Sequence, residues 1–407
     1  MDDLRPRRRA PFSRWSNWTR LAVALWAILV VAVCARGVLQ PTSHNLYPTY
    51  ARAGAEWLSR GIVYHDAWQA PFDQYRYGPL VSAFLSLFSL FPSWLGGVLW
   101  RALNAGFLLA SFAWWLRDAA PSRIGVREKA ILFMLIMPLA LGSLNNGQPN
   151  PLVIGLLLAA LAAIGRRRWT LSAFCVGLSV ALKVYPIAMG LLLSVVYPRR
   201  FGLRFLFAST VLALLPFVLQ QPDYVADQYV RWFERLGHND RMTWPLEASY
   251  RDLWLLIRVA HAPLDSKMYL GIQLLSAAGC AILCATARLR ELPKEDLLLY
   301  VLAFGTCWMM LCGPATESCT FVLLAPALAW ATLCLPRGVG RLLARLAFGL
   351  FLMGVLAGLL PRTARLHALG MQPLGTLLLS LAYMLHFVSM SMRASPACER
   401  PAPRRAA

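Results

Sequence analysis

The chain has 407 residues, 58% of them hydrophobic and 14% charged, with a formal net charge of +21 and a mean hydropathy of +0.53. Two or three soluble domains are excluded, because apolar stretches of about 20 residues, enough to cross a ~30 Å hydrocarbon core, recur from end to end. The charge does not indicate nucleic acid: Arg5–Arg9, Arg166–Arg168, Arg199–Arg204, Arg288–Arg290 and Arg337–Arg345 cluster at the ends of apolar runs, as cytoplasmic anchors beside anionic headgroups do.

The basic segment 1–19 is read as a cytoplasmic amino terminus, followed by an apolar run from Leu21 to Ala35. More spans follow, so an uncleaved first span is expected rather than a signal peptide. Residues 20–392 are read as one all-α, polytopic integral membrane unit. Its apolar helices lie near 20–39, 78–92, 95–116, 130–144, 150–165, 169–184, 185–198, 203–220, 267–287, 297–313, 318–335, 341–360 and 371–391. Ten to thirteen crossings fit, with 169–198 either one span kinked at Pro186 or two half-spans. The basic segment 117–129 fits no clean alternation of sides with 40–76 outside and 166–168 inside.

Two polar segments, 40–77 and 221–265, are expected outside the cytoplasm. Tyr50, Ala53, Trp57 and Leu58 in the first, and Tyr224 to Leu236 in the second, show the spacing of amphipathic helices lying on a membrane surface. The tail 393–407, rich in Pro and Arg, is expected to be disordered. Nine cysteines, mostly within apolar runs and without CxxC spacing, read as small buried residues, so no disulfide framework or metal site is expected.

Within this apolar chain a few polar groups stand out. Asn145-Asn146-Gly147-Gln148-Pro149-Asn150 separates two apolar runs, and Lys183 stands alone among apolar neighbours. Polar groups at membrane depth are costly and mark candidate sites. Gln148 and Asn150 suit sugar hydroxyls or phosphate oxygens, or else form an ordinary turn. Lys183 suits a phosphate, or else snorkels to the interface from the start of a span. In the first outer segment, Asp73 precedes Arg76 by three residues among aromatics: the carboxylate suits a general base and the guanidinium a phosphate, unless both belong to an aromatic belt with a local ion pair. Glu317 is either a second carboxylate of the site or a helix N-terminal residue favoured by the dipole. Glu247, Ser249, Arg251 and Asp252 precede a short helix at Trp254–Ile257, and a capping role is expected there.

In order and spacing, these features resemble glycosyltransferase family 87, the polyprenol-phosphate-mannose-dependent mannosyltransferases of GT-C fold. The resemblance is carried by Tyr47-Pro48-Thr49-Tyr50-Ala51-Arg52-Ala53 with Gly61-Ile62-Val63-Tyr64, and by Tyr75-Arg76-Tyr77-Gly78-Pro79. Gly147-Gln148-Pro149-Asn150, Lys183-Val184-Tyr185-Pro186, Ala248-Ser249-Tyr250 and Gly313-Pro314 continue it. It implies a bacterial inner-membrane enzyme that moves a sugar, with inversion, from a polyprenyl-phosphate donor to a glycan or glycolipid acceptor at the outer leaflet. No cofactor or metal is implied. Two departures touch the catalytic base. The family's first-loop aspartate corresponds to Ser43-His44-Asn45-Leu46, and a late histidine corresponds to Cys319. The candidate bases are therefore Asp73, His44 and Glu317, with Arg76, Gln148, Asn150 and Lys183 holding donor phosphate or sugar. A transporter or flippase of lipid-linked sugars, and a non-catalytic relative of the enzymes, are the alternatives.

Overall fold

The computed structural model describes residues 16–41, 43, 45–65, 75–121, 124–237, 241–359 and 368–393. The basic amino terminus, Asp73, His44 and most of the carboxyl tail lie outside the described residues. Among the described residues the secondary structure is helical throughout, with no strand.

The first helix, α1 (Asn17–Leu39), opens at Ser16, whose hydroxyl accepts the Thr19 amide. Next comes α2 (Tyr47–Ser59), whose Tyr47, Tyr50, Ala53, Gly54 and Trp57 are buried along one face. It lies beside α3 (Pro79–Ser89), whose 11 residues span about 16 Å, short of a ~30 Å core. The Tyr47 hydroxyl donates to the Phe88 carbonyl at 3.0 Å, which holds the start of α2 against the end of α3. The chain therefore enters α4 (Ser93–Asp118) at the same end of the bundle where α1 finished.

This placement removes the difficulty over segment 117–129. Because α3 does not cross, Asp118 at the end of α4 lies at the opposite, basic end of the molecule. There it pairs with Arg166 at 2.7 Å and with its neighbour Arg117 at 3.2 Å. The chain returns through α5 (Val126–Leu135) and α6 (Met137–Asn146), bent by 43° where Pro138 removes a helical donor. Then α7 (Asn150–Gly165) runs back, buried at every position from Asn150 to Ile164.

Two short helices, α8 (Trp169–Leu182) and α9 (Ile187–Val196), meet at an irregular break. Lys183 is extended there and Pro186 opens α9. A π turn at Pro198–Gly202 leads into α10 (Leu203–Leu219). The amphipathic α11 (Pro222–Gly237) and the short α12 (Leu253–Val259) follow. The remaining spans are α13 (Ser266–Leu289), α14 (Lys294–Cys312), a 3₁₀ helix (Ser318–Leu324) continuing as α15 (Ala325–Cys334), α16 (Val339–Leu359) and α17 (Met371–Arg393).

Seven of these helices are long and apolar enough to cross a membrane, and the bent α5–α6 pair makes an eighth. Shorter apolar helices, α7 and α8 among them, also run between the two ends. At the basic end Arg200 stacks over Trp169, Arg288 over Tyr197, and Lys294 donates to the Gly165 carbonyl. Arg290 donates to the Ser391 carbonyl in the same layer. Centrally, α7 and α14 form the core, while α13 and α16 expose leucine-rich faces suited to lipid.

Candidate functional site

The polar end of the bundle is assembled from segments far apart in sequence. α6 ends at Gly147, whose φ of 68° only glycine adopts without strain, and the reversal directs Gln148 back over the helix end. The Leu46 amide donates to the Asn146 carbonyl at 2.9 Å and Trp100 Nε1 to the Gly147 carbonyl at 2.7 Å. Those two bonds fasten the turn to α2 and α4.

Asn150 lies beneath this turn, fully buried. Its Nδ2 donates to Gln148 Oε1 (2.7 Å), to Ser143 Oγ (2.9 Å) and to the Cys319 carbonyl (3.3 Å). Because Gln148 Oε1 is engaged by Asn150, its Nε2 is left to donate to Glu317 Oε2, at 3.1 Å. Glu317 caps the 3₁₀ helix: its side chain accepts the Thr320 amide while Thr320 Oγ1 accepts the Glu317 amide at 3.2 Å. Its other oxygen lies 3.7 Å from Arg241 Nη2. The helix-capping and cleft-lining readings of Glu317 thus hold together.

These groups border a cleft of about 610 Å³, within the ~300–1,000 Å³ range of small-ligand sites. Arg76, Gln148, Lys183 and Glu317 all line it, although they come from the segment before α3, the α6–α7 turn, the α8–α9 break and the α14–3₁₀ connection. Asn150 reaches the cleft only through Gln148. The side walls are aromatic, with Tyr50, Tyr77, Tyr185 and Trp232. Trp232 Nε1 donates to the Arg76 carbonyl at 3.0 Å, so α11 fixes the backbone that carries the arginine. Arg76 Nε is buried without a partner among the described residues. Lys183 Nζ sits 5.6 Å from the centre of the Tyr185 ring.

Among the described residues, the cleft therefore presents two cations and one carboxylate among hydroxyls and amides. Tyr50 and Tyr77 share a hydroxyl–hydroxyl bond of 3.0 Å. Burial pushes both phenols well above their ordinary value, so they remain neutral hydrogen-bonding groups. The polar segment before α12 is tied to the connection that carries Glu317. Arg251 is buried, its amide donates to the Thr316 carbonyl at 2.7 Å, and its guanidinium donates to the Leu246 and Glu247 carbonyls. Asp252 caps α12 by accepting the Leu255 amide at 3.2 Å, as expected of it. Burial raises its carboxyl to about 6.

Two further charged groups border this region without having been singled out in the sequence. Arg101 lies within an apolar run and carries the same signal as Lys183, a lone cation at membrane depth. Arg241 lies in a polar segment where cations are ordinary, so its sequence carries no signal. Its guanidinium is stacked 5.1 Å from the Trp244 ring centre and 5.0 Å from that of Tyr250.

A helical bundle of membrane-spanning length, with a cleft lined by cations, hydroxyls and amides at one end, defines a polytopic membrane protein. Residues 75–314, more than half of the chain, match the model of glycosyltransferase family 87, and the chain belongs to that family. It is a membrane glycosyltransferase, and the family favours sugar transfer over transport. No curated protein matches the chain.

Proposed function

We propose that the protein transfers a hexose, such as mannose, from a polyprenyl-phosphate donor to a glycan or glycolipid acceptor at the extracytoplasmic face of a bacterial inner membrane. The basic end of the bundle and the amino terminus then face the cytoplasm, in keeping with the positive-inside bias. One observation carries the reading: Arg76, Gln148, Lys183 and Glu317, from four distant segments, line one cleft.

In this reading Arg76 and Lys183 bind the donor phosphate, which is where negative charge grows as the sugar departs. Gln148 orients the sugar or phosphate, and Asn150 positions Gln148. Glu317 is the base. The acceptor oxygen attacks the anomeric carbon, its proton passes to the Glu317 carboxylate, and the carbon–oxygen bond to phosphate breaks with its electron pair leaving on the polyprenyl phosphate. Arg241 holds Glu317 from the side away from Gln148. The hydroxyls of Tyr50 and Tyr77 offer neutral contacts to a sugar ring.

The test is transfer of radiolabelled mannose from polyprenyl-phosphate-mannose to candidate acceptors by protein purified in lipid. Glu317→Gln is expected to lower kcat by ~10²–10⁴-fold, the usual weight of general-base catalysis. Asp73→Asn and His44→Gln are expected to lower it far less. Loss confined to Asp73→Asn or His44→Gln moves the base to that residue.

A further inference from the structure

A second cavity, of about 280 Å³, lies between the end of α1 and the start of α4. Arg101 borders it from the third turn of α4, only 2% exposed. Its Nη2 donates to Asn45 Oδ1 (2.9 Å) and to the Asn145 carbonyl (3.0 Å), and its Nη1 to the Gly97 carbonyl (3.2 Å). Nε has no partner. Every acceptor is a neutral oxygen, and among the described residues no carboxylate pairs with this guanidinium. Buried charges are normally paired, so a buried cation without a counter-charge is a candidate to receive an anion.

Gly37 of α1 lets the guanidinium pack against the helix backbone, since a Cβ there would stand 2.9 Å from Arg101 Cζ. Ser93 offers a hydroxyl at the first residue of α4, where amide groups are unsatisfied by the helix. The rim is apolar and lipid-facing, with Val38 41% and Trp94 58% exposed. Such a rim admits an acyl chain while the polar floor receives its headgroup. Asn45 lines both this cavity and the main cleft.

We propose that this cavity is a separate anion site for a phosphate group, with Arg101 as its counter-cation, reached from the membrane between α1 and α4. The phosphate arrives either as the headgroup of an anionic phospholipid or as free phosphate.

Native mass spectrometry of the full chain in detergent tests this, with dihexanoyl-phosphatidylglycerol, dihexanoyl-phosphatidylcholine and inorganic phosphate titrated separately. Phosphatidylglycerol is expected to bind the parent protein, and Ser93→Glu to weaken it at least tenfold by supplying Arg101 with a carboxylate. Ser93 is exposed, so this variant avoids the folding risk of Arg101→Gln, which should show the same loss if it folds. Lys183→Met, altered in the main cleft, should keep the affinity. Binding of phosphatidylglycerol alone identifies a lipid source, and equal binding of inorganic phosphate identifies the free ion. Affinity unchanged by Ser93→Glu, or phosphatidylcholine bound as tightly as phosphatidylglycerol, overturns the proposal.

Discussion

Gln148 Nε2 donates to Glu317 Oε2 at 3.1 Å, across 169 residues of sequence. The bond joins the α6–α7 turn to the 3₁₀ helix and fixes the direction of the carboxylate that we propose as the base. Replacing Gln148 by Ala should lower kcat/KM about 10- to 100-fold, as loss of a hydrogen bond to a charged group would. Combined with Glu317→Gln, the two losses should fall well short of adding, because the groups act as one unit. Steady-state transfer kinetics of the two single variants and the double variant measure this.

Lys183→Met should act on donor binding. Removing one of the two cations that line the cleft among the described residues is expected to raise the donor KM roughly 10- to 100-fold, the equivalent of one charge-assisted contact. The contrast with Glu317→Gln, which should act on kcat, is read from donor titrations at saturating acceptor.

Asn150 gives a different pattern. Its Nδ2 binds Gln148, Ser143 and the Cys319 carbonyl at a fully buried position. Asn150→Ala takes the donor from Gln148 Oε1, while the Cys319 carbonyl keeps Ser143 Oγ at 2.6 Å, and should cost about 1–3 kcal/mol of stability. A lowered Tm in lipid, together with a reduced kcat, is the expected result. An unchanged Tm would place Asn150 outside the framework of the site.

Asp252 supplies a pH dependence. Burial raises its carboxyl to about 6 in the folded protein, against about 3.9 in an unfolded chain. The folded state therefore favours the protonated form. Its contribution is fully present below pH 4 and is lost as pH rises through about 6. Asp252→Asn keeps a capping side chain without the charge. Relative to that variant, wild type should lose about 2–3 kcal/mol between pH 4 and 7, by linkage. Thermal melts of both proteins across this range provide the comparison, and a difference independent of pH would contradict it.

Much of the fold was legible in the sequence, because membrane helices announce themselves by length and apolarity. The ranges expected at 20–39, 150–165 and 203–220 match α1, α7 and α10 closely. What the sequence left open was depth. Residues 78–92 are apolar enough to suggest a span, yet α3 is too short to cross, and only its packing against α2 shows it. The bend at Pro138 was similarly hidden inside a continuous apolar run.

The site was legible where a polar group interrupted apolar sequence. Gln148, Lys183 and Glu317 stood out for that reason, and they line one cleft. Arg101 carried the same signal and was passed over inside the run 95–116. Arg241 could not be found this way, since only the folding of its polar segment brings it to 3.7 Å from Glu317. Asn150 was read as facing substrate, whereas its neighbours Ser143 and Cys319 enclose it.

Single cysteines placed at positions 76, 148, 183 and 317, treated from the extracytoplasmic side with a membrane-impermeant thiol reagent, test the central claim most directly. All four should gain labelling over the parent protein, and polyprenyl-phosphate-mannose should protect all four. Labelling of any one only from the cytoplasmic side, or no protection by the donor at any, would contradict a single shared site.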